Sequence, residues 1–257
     1  MFRRAIVRLP AENFADGQTT VDLGVPDYEK ALAQHERYCD ALLSCGLALT
    51  RLPADPRHPD STFVEDTALI APGGAILTRP GAPSREDEIA DMEPALHEFF
   101  PALRRIQPPG TVDGGDVCEA GDHWFIGISA RTNEEGARQV SELLADDGRG
   151  ASTVDIRSVE RILHLKSGIA WLSGRRLVVI GALASHPAFA GWEIVGVNPG
   201  EEYAANCVPV NERVLFPKGF PRLEKRLSAL GYRPLVLDVS EYRKMDGGLS
   251  CLSLRFG

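Results

Sequence analysis

Residues 244–256 contain the side chain with the most distinctive chemistry in the chain, the thiol of Cys251. Two consecutive glycines precede Leu-Ser-Cys-Leu-Ser-Leu-Arg-Phe, which alternates as a strand does, so the pattern predicts a tight turn followed by a strand. Such a turn can present a thiol at the end of a sheet, where backbone N–H groups are also available. The alternative is that Cys251 is a small buried hydrophobic residue, as most free cysteines are.

Three other loops carry polar residues where a strand would not favour them: Glu65-Asp66, Asp113-Gly114-Gly115-Asp116 and His164-Leu165-Lys166-Ser167-Gly168. A thiol and an imidazole base form a nucleophilic pair, and a carboxylate can orient the base or the substrate. Several carboxylates beside a thiolate are unusual for acyl transfer, because like charge raises the pKa of a thiol. They suit a cationic substrate, and the planar fork of a guanidinium group binds carboxylates bidentately.

Each of these residues also has an ordinary structural explanation. Glu65 and Asp66 suit a turn and a surface charge. Residues 113–116 suit a glycine turn with self-capping aspartates, and they lack the further oxygen ligands of a calcium loop. His164 lies between two leucines, as a core histidine would. Surface salt bridges are the default for three further polar residues near the ends of units: Asp60, Arg85 and Arg131.

The elements that must position these residues recur along the chain. One example runs from residues 112–118 through a turn at Gly121-Asp122 to residues 124–128, followed by a helix that Thr132 or Asn133 can cap and Gly148 ends. The unit is strand, hairpin, strand, helix, strand, and it recurs about every 40 to 50 residues, which favours a radial or stacked repeat. The unit-opening loops of a propeller gather at one end of its axis. We interpret residues 1–257 as a single domain.

Composition excludes several classes of protein. The net charge is -8 and no basic stripe occurs, which disfavours nucleic acid or an anionic membrane as a partner. No segment approaches the roughly 20 apolar residues of a membrane span, and residues 1–10 are too short and interrupted for a signal peptide. The five cysteines are scattered without a Cys-x-x-Cys pair. We therefore expect a cytoplasmic protein with free thiols.

Six segments occur in the same order as in dimethylarginine dimethylaminohydrolases, which belong to the guanidino-group-modifying, or pentein, superfamily. The segments are Phe63-Val64-Glu65-Asp66, Asp113-Gly114-Gly115-Asp116, Ser129-Ala130-Arg131-Thr132-Asn133, His164-Leu165-Lys166-Ser167, Ala205-Asn206-Cys207 and Asp246-Gly247-Gly248-Leu249-Ser250-Cys251. The resemblance extends from the first strand to the C-terminus. It implies an α/β fold, a five-bladed pseudo-symmetric α/β propeller of ββαβ modules, in agreement with the repeat.

The resemblance also implies a catalytic role for three residues. Cys251 matches the nucleophile, His164 the general acid/base, and Asp113 the carboxylate of the triad. The implied reaction converts asymmetric dimethylarginine or monomethylarginine to citrulline and an alkylamine through a covalent S-alkylthiouronium on the cysteine. No metal and no cofactor is expected.

The remaining residues match positions that bind substrate in the family. Asp66, with Glu65, matches the clamp on the guanidino nitrogens. The amino-acid end of the substrate is expected to contact three side chains and the backbone near two further residues: Asp60, Arg85, Arg131, Gln18 and Met245. Residues 16–24 match the flexible loop over the site. Many family members have leucine where this chain has Gln18, which affects the packing of that loop.

Other functions remain open at this point. An arginine deiminase would act on arginine itself, but usually carries an inserted helical domain for which this chain has no room. An agmatine deiminase has no need of Arg85 and Arg131, and an amidinotransferase would need an amine acceptor. A non-catalytic propeller, such as a ribosome-binding anti-association factor, would not need a thiol, an imidazole and carboxylates at converging loops. The expected partner is a small guanidino amino acid, and the expected assembly is a monomer or homodimer.

Overall fold

Fifteen strands form five three-stranded sheets in the computed structural model, which describes residues 1–257. The strands, in chain order, are β1 (Arg4–Arg8), β2 (Ala48–Leu52), β3 (Ala68–Ala71), β4 (Gly74–Leu77), β5 (Leu103–Arg105), β6 (Val117–Ala120), β7 (His123–Ile128), β8 (Gly150–Asp155), β9 (Ile169–Ser173), β10 (Arg176–Val179), β11 (Glu193–Gly196), β12 (Val208–Val210), β13 (Arg213–Pro217), β14 (Pro234–Leu237) and β15 (Leu254–Phe256). The helices are α1 (Tyr28–Ser44), α2 (Glu88–His97), α3 (Glu134–Asp146), α4 (Pro221–Ala229) and α5 (Ser240–Arg243).

All five sheets share one plan, in which the middle strand is antiparallel to one neighbour and parallel to the other. A tight turn is enough to join the antiparallel pair, whereas a parallel pair needs a longer crossover. The predicted repeat of hairpin, crossover and strand is therefore present in four of the sheets. In the fifth, no hairpin joins the antiparallel pair β15–β1, because these strands come from opposite ends of the chain. No helix of the fold is long and apolar enough to cross a membrane.

One compact unit consists of Met1–Val64 and Asn198–Gly257 and contains the sheets β15-β1-β2 and β12-β13-β14. In the first of these, β15 is antiparallel to β1 and β1 is parallel to β2, so the two ends of the chain complete one sheet. Helix α1 begins after Asp27, whose side chain accepts a hydrogen bond from the backbone N–H of Lys30, and it buries Tyr38 and Leu42 in the core.

A second compact unit, Glu65–Val197, contains the sheets β3-β4-β5, β6-β7-β8 and β9-β10-β11. Asn133 caps α3 through the backbone N–H of Gly136, as its position predicts. The third sheet differs from the expected ββαβ pattern, because only a short 3-10 turn at Pro187–Phe189 lies between β10 and β11. Proline inside this segment and glycines at 181 and 191 disfavour a longer helix.

The strand predicted after the double glycine is shorter than expected. Ser250–Leu252 is a 3-10 turn, and β15 starts only at Leu254. The backbone N–H of Ser250 binds the side chain of Asn206 instead of a neighbouring strand. Cys251 therefore lies in a turn before the strand rather than within it.

Candidate active site

His164 and Asp113 form a buried pair in the unit Glu65–Val197. His164 precedes the 3-10 turn Leu165–Ser167, and Asp113 precedes the 3-10 turn Gly114–Asp116. Nε2 of His164 lies 3.0 Å from Oδ2 of Asp113, and the exposed fractions of the two residues are 7% and 0%. The carboxylate thus orients the imidazole and stabilises its protonated form.

Carboxylates determine the protonation of His164. Burial alone lowers the pKa of the imidazole, but Asp66, Asp113 and Asp116 outweigh it and raise the pKa to about 9. Asp66 responds in the opposite direction: burial raises the pKa of its carboxyl, but His164 and Arg85 lower it to about 2. At neutral pH His164 is therefore an imidazolium ion beside an ionised Asp66. A protonated imidazole suits a residue that must donate a proton.

Asp66 is held by two donors from the same unit. Its Oδ2 accepts from Nη1 of Arg85 at 2.6 Å, and its Oδ1 accepts from the backbone N–H of Gly115 at 2.8 Å. A Cβ on Gly115 would lie 2.8 Å from the ring of His164 and 2.9 Å from Oδ1 of Asp66. Glycine at this position allows the imidazole and the carboxylate to approach the same backbone.

Arg85, expected to hold the amino-acid end of the substrate, is buried against two carboxylates. Besides Asp66, it binds Glu88 bidentately, with Nε to Oε1 at 2.9 Å and Nη2 to Oε2 at 2.8 Å. The pKa of the guanidinium is raised further above its usual value, since these carboxylates outweigh burial. In this structure Arg85 links the Asp66 carboxylate to the start of α2.

Glu65 and Arg131 occupy different surroundings from Asp66. A carboxylate oxygen of Glu65 lies 2.7 Å from Nζ of Lys166, and both side chains are largely buried. The backbone of Arg131 lies against Gly81, where a Cβ would come within 2.1 Å of the Arg131 carbonyl oxygen, and the N–H of Gly81 binds Oδ1 of Asp113 at 2.8 Å. The Arg131 loop therefore packs beside the segment that fixes Asp113.

Three of the residues predicted to be catalytic or substrate-binding carry atoms of the type that coordinates cations. Asp66, Asp113 and His164 each offer an atom, and these atoms lie within 4.8 Å of one another. However, Arg85 and Gly115 bind Asp66, and Asp113 binds His164, so the set is already hydrogen-bonded internally. The absence of a catalytic metal stays a prediction.

Cys251 lies in the unit formed by Met1–Val64 and Asn198–Gly257, where it is half-buried. The backbone N–H of Gly248 points to its Sγ at 3.4 Å. A Cβ on Gly247 would lie 2.3 Å from the ring of Phe63, and one on Gly248 would lie 2.4 Å from Oδ1 of Asn206. Both glycines are thus required for this close packing of the turn, which places an N–H donor on the sulfur.

Asp60, Gln18 and Met245 come together in the same unit. The backbone N–H of Gln18 lies 3.2 and 3.1 Å from the two carboxylate oxygens of Asp60. A Cβ on Gly17 would lie 2.3 Å from Oδ1 of Asp60 and 3.3 Å from Cε of Met245. These three predicted binding residues are therefore neighbours.

The predicted loop at residues 16–24 is attached to the turn that carries Met245. The hydroxyl of Thr19 donates to the carbonyl of Lys244 at 2.9 Å, and the N–H of Thr20 donates to Oδ2 of Asp246 at 2.5 Å. Asp246 has a φ of 56°, a left-handed conformation that aspartate tolerates better than most residues. The loop and the turn before Cys251 are thereby connected.

Sequence reasoning assigned no role to several residues that support the predicted ones. Glu88 binds Arg85, Lys166 pairs with Glu65, Asp116 contacts the segment after His164, and Asn206 holds Ser250. Asp116, Lys166 and Asn206 were inside segments that carry the family resemblance, which was the available signal. No sequence signal pointed to Glu88, because an acidic residue in the first turn of a helix is common.

No family model matches the chain. A search of curated proteins finds N(G),N(G)-dimethylarginine dimethylaminohydrolase of Pseudomonas aeruginosa, 48% identical over 257 residues that cover 100% of both chains. Two solved structures have 48% sequence identity and cover 100% of both chains. The first, dimethylarginine dimethylaminohydrolase from P. aeruginosa as a cysteine-to-serine variant with citrulline, gives a TM-score of 0.96. The second, a histidine-to-glycine variant of a dimethylarginine dimethylaminohydrolase as an adduct with S-methyl-L-thiocitrulline, gives 0.95.

Identity and coverage of this extent confirm two expectations from the sequence. The fold is the five-module α/β propeller of the pentein superfamily, in line with the five three-stranded sheets. The likeness holds over the full length of the relative, not over a shared motif alone. The chain belongs to the dimethylarginine dimethylaminohydrolase family.

Proposed function

We propose that this protein hydrolyses asymmetric dimethylarginine and monomethylarginine to citrulline and dimethylamine or methylamine. It is thus a hydrolase that acts on a C–N bond of a linear amidine. Family membership supports this activity, as does the citrulline bound to the Pseudomonas relative. The observation in this chain that carries the proposal is the buried His164–Asp113 pair beside Asp66.

The charge of the cluster suits a guanidinium substrate. Five buried carboxylates are opposed by two fixed cations, Arg85 and Lys166, and by the imidazolium of His164. The carboxylates belong to Glu65, Asp66, Glu88, Asp113 and Asp116. A cationic substrate offsets the excess negative charge, whereas a neutral or anionic one would not.

The proposed reaction begins with attack of the Cys251 thiolate on the guanidinium carbon, which forms a C–S bond and a tetrahedral adduct. Asp66 and Asp113 hold the nitrogens. His164 gives its proton to the alkylamine as the C–N bond breaks, because an amide-like anion cannot leave. The relative's adduct with S-methyl-L-thiocitrulline supports a covalent intermediate.

Hydrolysis of the S-alkylthiouronium completes the cycle. The neutral imidazole of His164 takes a proton from water as the oxygen attacks the same carbon. The C–S bond then breaks, the thiolate leaves, and citrulline is released. The raised pKa of His164 fits both steps, since the residue starts as an acid and is reprotonated before the next turnover.

Residues that bind the substrate complete the proposal. Glu65 and Asp66 take the guanidino nitrogens, and the amino-acid end is bound by Asp60, Arg85 and Arg131 together with the backbone at Gln18 and Met245. The contact of Arg85 with Asp66 supports an additional role, because it fixes the orientation of that carboxylate. Residues 1–257 act as one catalytic domain, without metal or cofactor, as a cytoplasmic monomer or homodimer.

The proposal is tested by citrulline release from asymmetric dimethylarginine, monomethylarginine and arginine in parallel, with and without EDTA. We expect turnover of both methylated substrates, little from arginine, and no effect of EDTA. Cys251→Ser should abolish turnover, while Cys45→Ser, a half-buried thiol at the end of α1, should leave it unchanged. Turnover of arginine alone would indicate a deiminase, and turnover by Cys251→Ser would contradict the mechanism.

A further inference from the structure

Asp116 is a buried carboxylate to which the proposed reaction gives no role. It ends the Gly114–Asp116 turn that starts from Asp113, and its exposed fraction is 0%. Burial of a carboxylate is costly unless donors compensate it. Its partners therefore indicate what the fold uses it for.

Two of these partners connect Asp116 to the segment that carries His164 and to the residue that follows β7. Its Oδ1 accepts from the backbone N–H of Leu165 at 2.9 Å, and its Oδ2 accepts from the hydroxyl of Ser129 at 2.6 Å. Leu165 immediately follows His164, so the Asp116 carboxylate fixes the peptide that carries the imidazole. A displaced carboxylate would let that peptide rotate.

The hydroxyl of Thr132 connects Asp116 to the other member of the pair. It accepts from the backbone N–H of Asp113 at 3.1 Å and is hydrogen-bonded to the Asp116 carboxylate. Ser129 and Thr132 belong to the segment around Arg131 that carried the family resemblance. Thr132 was a candidate cap of α3, but Asn133 is the cap, which leaves the Thr132 hydroxyl to these contacts. Through these contacts, one carboxylate fixes the backbone of both His164 and Asp113.

Gly127, inside β7, shows that the fold makes room for this arrangement. A Cβ at this position would lie 2.8 Å from Oδ1 of Asp116 and 2.9 Å from Cβ of Leu165. Glycine inside a strand weakens it, and it often marks the close approach of another segment. Here strand β7 lacks a side chain where Asp116 and Leu165 meet.

We propose that Asp116 is a positioning residue for His164, which holds the Leu165 peptide and places a buried negative charge beside the imidazole. This inference rests on the proposed function, since it concerns the acid of that reaction. The charged groups around the imidazole are Asp66, Asp113 and Asp116, with Arg85 behind Asp66. Burial raises the pKa of Asp116 to about 6, despite the opposing effects of His164, Ser129 and Thr132, so it is largely ionised above neutral pH.

The test measures the pKa of His164 by NMR of histidine-labelled protein, with the His164→Gly variant used for assignment. Asp116→Asn removes the charge and keeps the shape. We expect it to lower the pKa of His164 by about one unit, a tenfold loss of proton affinity. The matched control is Glu119→Gln, an exposed carboxylate on β6, which should leave the pKa of His164 unchanged.

Turnover of dimethylarginine gives a second readout. In Asp116→Asn the alkaline limb of kcat/KM should move towards lower pH by about the same amount as the pKa of His164. A folded Asp116→Asn protein with the wild-type pKa of His164 would overturn the inference. If this variant does not fold, Ser129→Ala removes one hydrogen bond that positions the Asp116 carboxylate and should lower kcat for dimethylarginine, while Ser129→Thr, which keeps the hydroxyl, should keep it near the wild-type value. Wild-type kcat in Ser129→Ala would equally overturn the inference.

The NMR measurement does not depend on activity. Suppose that Asp116→Asn shifts the pKa of His164 but the wild-type protein turns over none of the guanidino substrates. That result would support the role of Asp116 and contradict the proposed function. Turnover without any shift would support the proposed function and contradict the role of Asp116. The two ideas can therefore fail separately.

Discussion

Nε2 of His164 lies 3.0 Å from Oδ2 of Asp113, although the two residues are 51 positions apart. Both groups are almost completely buried, so water does not screen the contact effectively. This hydrogen bond sets the orientation of the proposed acid. It also gives the imidazolium a nearby negative charge.

Asp113→Asn should remove that charge and lower kcat. We expect a loss of about 100-fold or more, because a positioned acid–base group contributes that much or more to catalysis. Citrulline release at pH 7 is the measurement. Asp122→Asn, on the exposed β6–β7 turn, is the matched control and should keep the wild-type rate. An Asp113→Asn enzyme within threefold of wild type would remove Asp113 from the proposed triad.

His164→Gly should separate the two halves of the reaction. A substrate analogue whose leaving group needs no protonation, such as S-methyl-L-thiocitrulline, should still add to Cys251, while dimethylarginine should not be turned over. Mass spectrometry of the intact protein would detect the adduct. If His164→Gly formed no adduct, another residue would have to serve as the acid/base or assist the thiolate.

Stability should fall as the pH rises from about 6.5 to about 9. The fold raises the pKa of His164 from 6.5 to about 9, so the folded chain binds this proton more tightly than the unfolded chain does. The resulting stabilisation is complete below pH 6.5 and is lost as the pH rises through the folded-state pKa. Each unit of difference between the folded and unfolded pKa values of His164 corresponds to about 1.4 kcal/mol in the free energy of unfolding.

Urea unfolding at several pH values tests this dependence. The decrease of the free energy of unfolding with pH should become smaller in His164→Asn. It should persist in His97→Asn, since His97 is an exposed histidine at the end of α2. Asp116, with a pKa of about 6, titrates mostly below this window. Equal slopes in wild type and His164→Asn would mean that the fold does not raise the pKa of this residue.

Arg85→Met should be strongly destabilising. It leaves Asp66 and Glu88 buried without their cation, and removal of one partner of a buried ion pair costs about 3–5 kcal/mol. Unfolding in urea at pH 7 measures the loss. Arg138→Met on the exposed face of α3 also breaks two ion pairs, with Glu135 and Glu142, and should have little effect. Similar losses in the two variants would contradict the idea that Arg85 is structurally important through its burial.

Asn206→Ala should affect Cys251 through the preceding residue. Asn206 accepts from the N–H of Ser250 at 3.0 Å and donates to its hydroxyl at 2.9 Å. Loss of both bonds removes the Asn206 acceptor from the buried N–H of Ser250, which should lower the free energy of unfolding by about 1–3 kcal/mol. We expect a lower Tm, a lower kcat and a changed rate of Cys251 alkylation. Asn198→Ala, on the half-exposed segment after β11, is the control and should match wild type in all three measurements.

Much of the local structure follows from short-range rules that the sequence displays. Asn133 caps α3 as expected, and Asp27 caps α1 in the same way, because a cap depends on residues only three positions away. The hairpins at Gly121-Asp122 and Ser173-Gly174 likewise depend on glycine in a left-handed turn. The family segments identified the fold and pointed to Cys251 and His164.

The partners of the predicted charges depended on tertiary structure. Arg85, which is predicted to bind the substrate, also lies against Asp66 and Glu88, and Glu65 is paired with Lys166. The sequence shows that these residues are charged but not which opposite charge is nearest, because the Glu65–Lys166 contact spans about a hundred residues. The fold alone creates the burial that raises the pKa of Asp116 and brings together the carboxylates that raise the pKa of His164.

The environment of Cys251 shows the same division. Alternating residues predicted a strand, yet Ser250–Leu252 is a turn, because Asn206 takes the N–H that a strand would have paired. The sequence shows the thiol of Cys251 and the two glycines before it directly, because these features depend only on neighbouring residues. The hydrogen bonds that hold the turn come from a segment 44 residues earlier, and only the folded chain brings the two together.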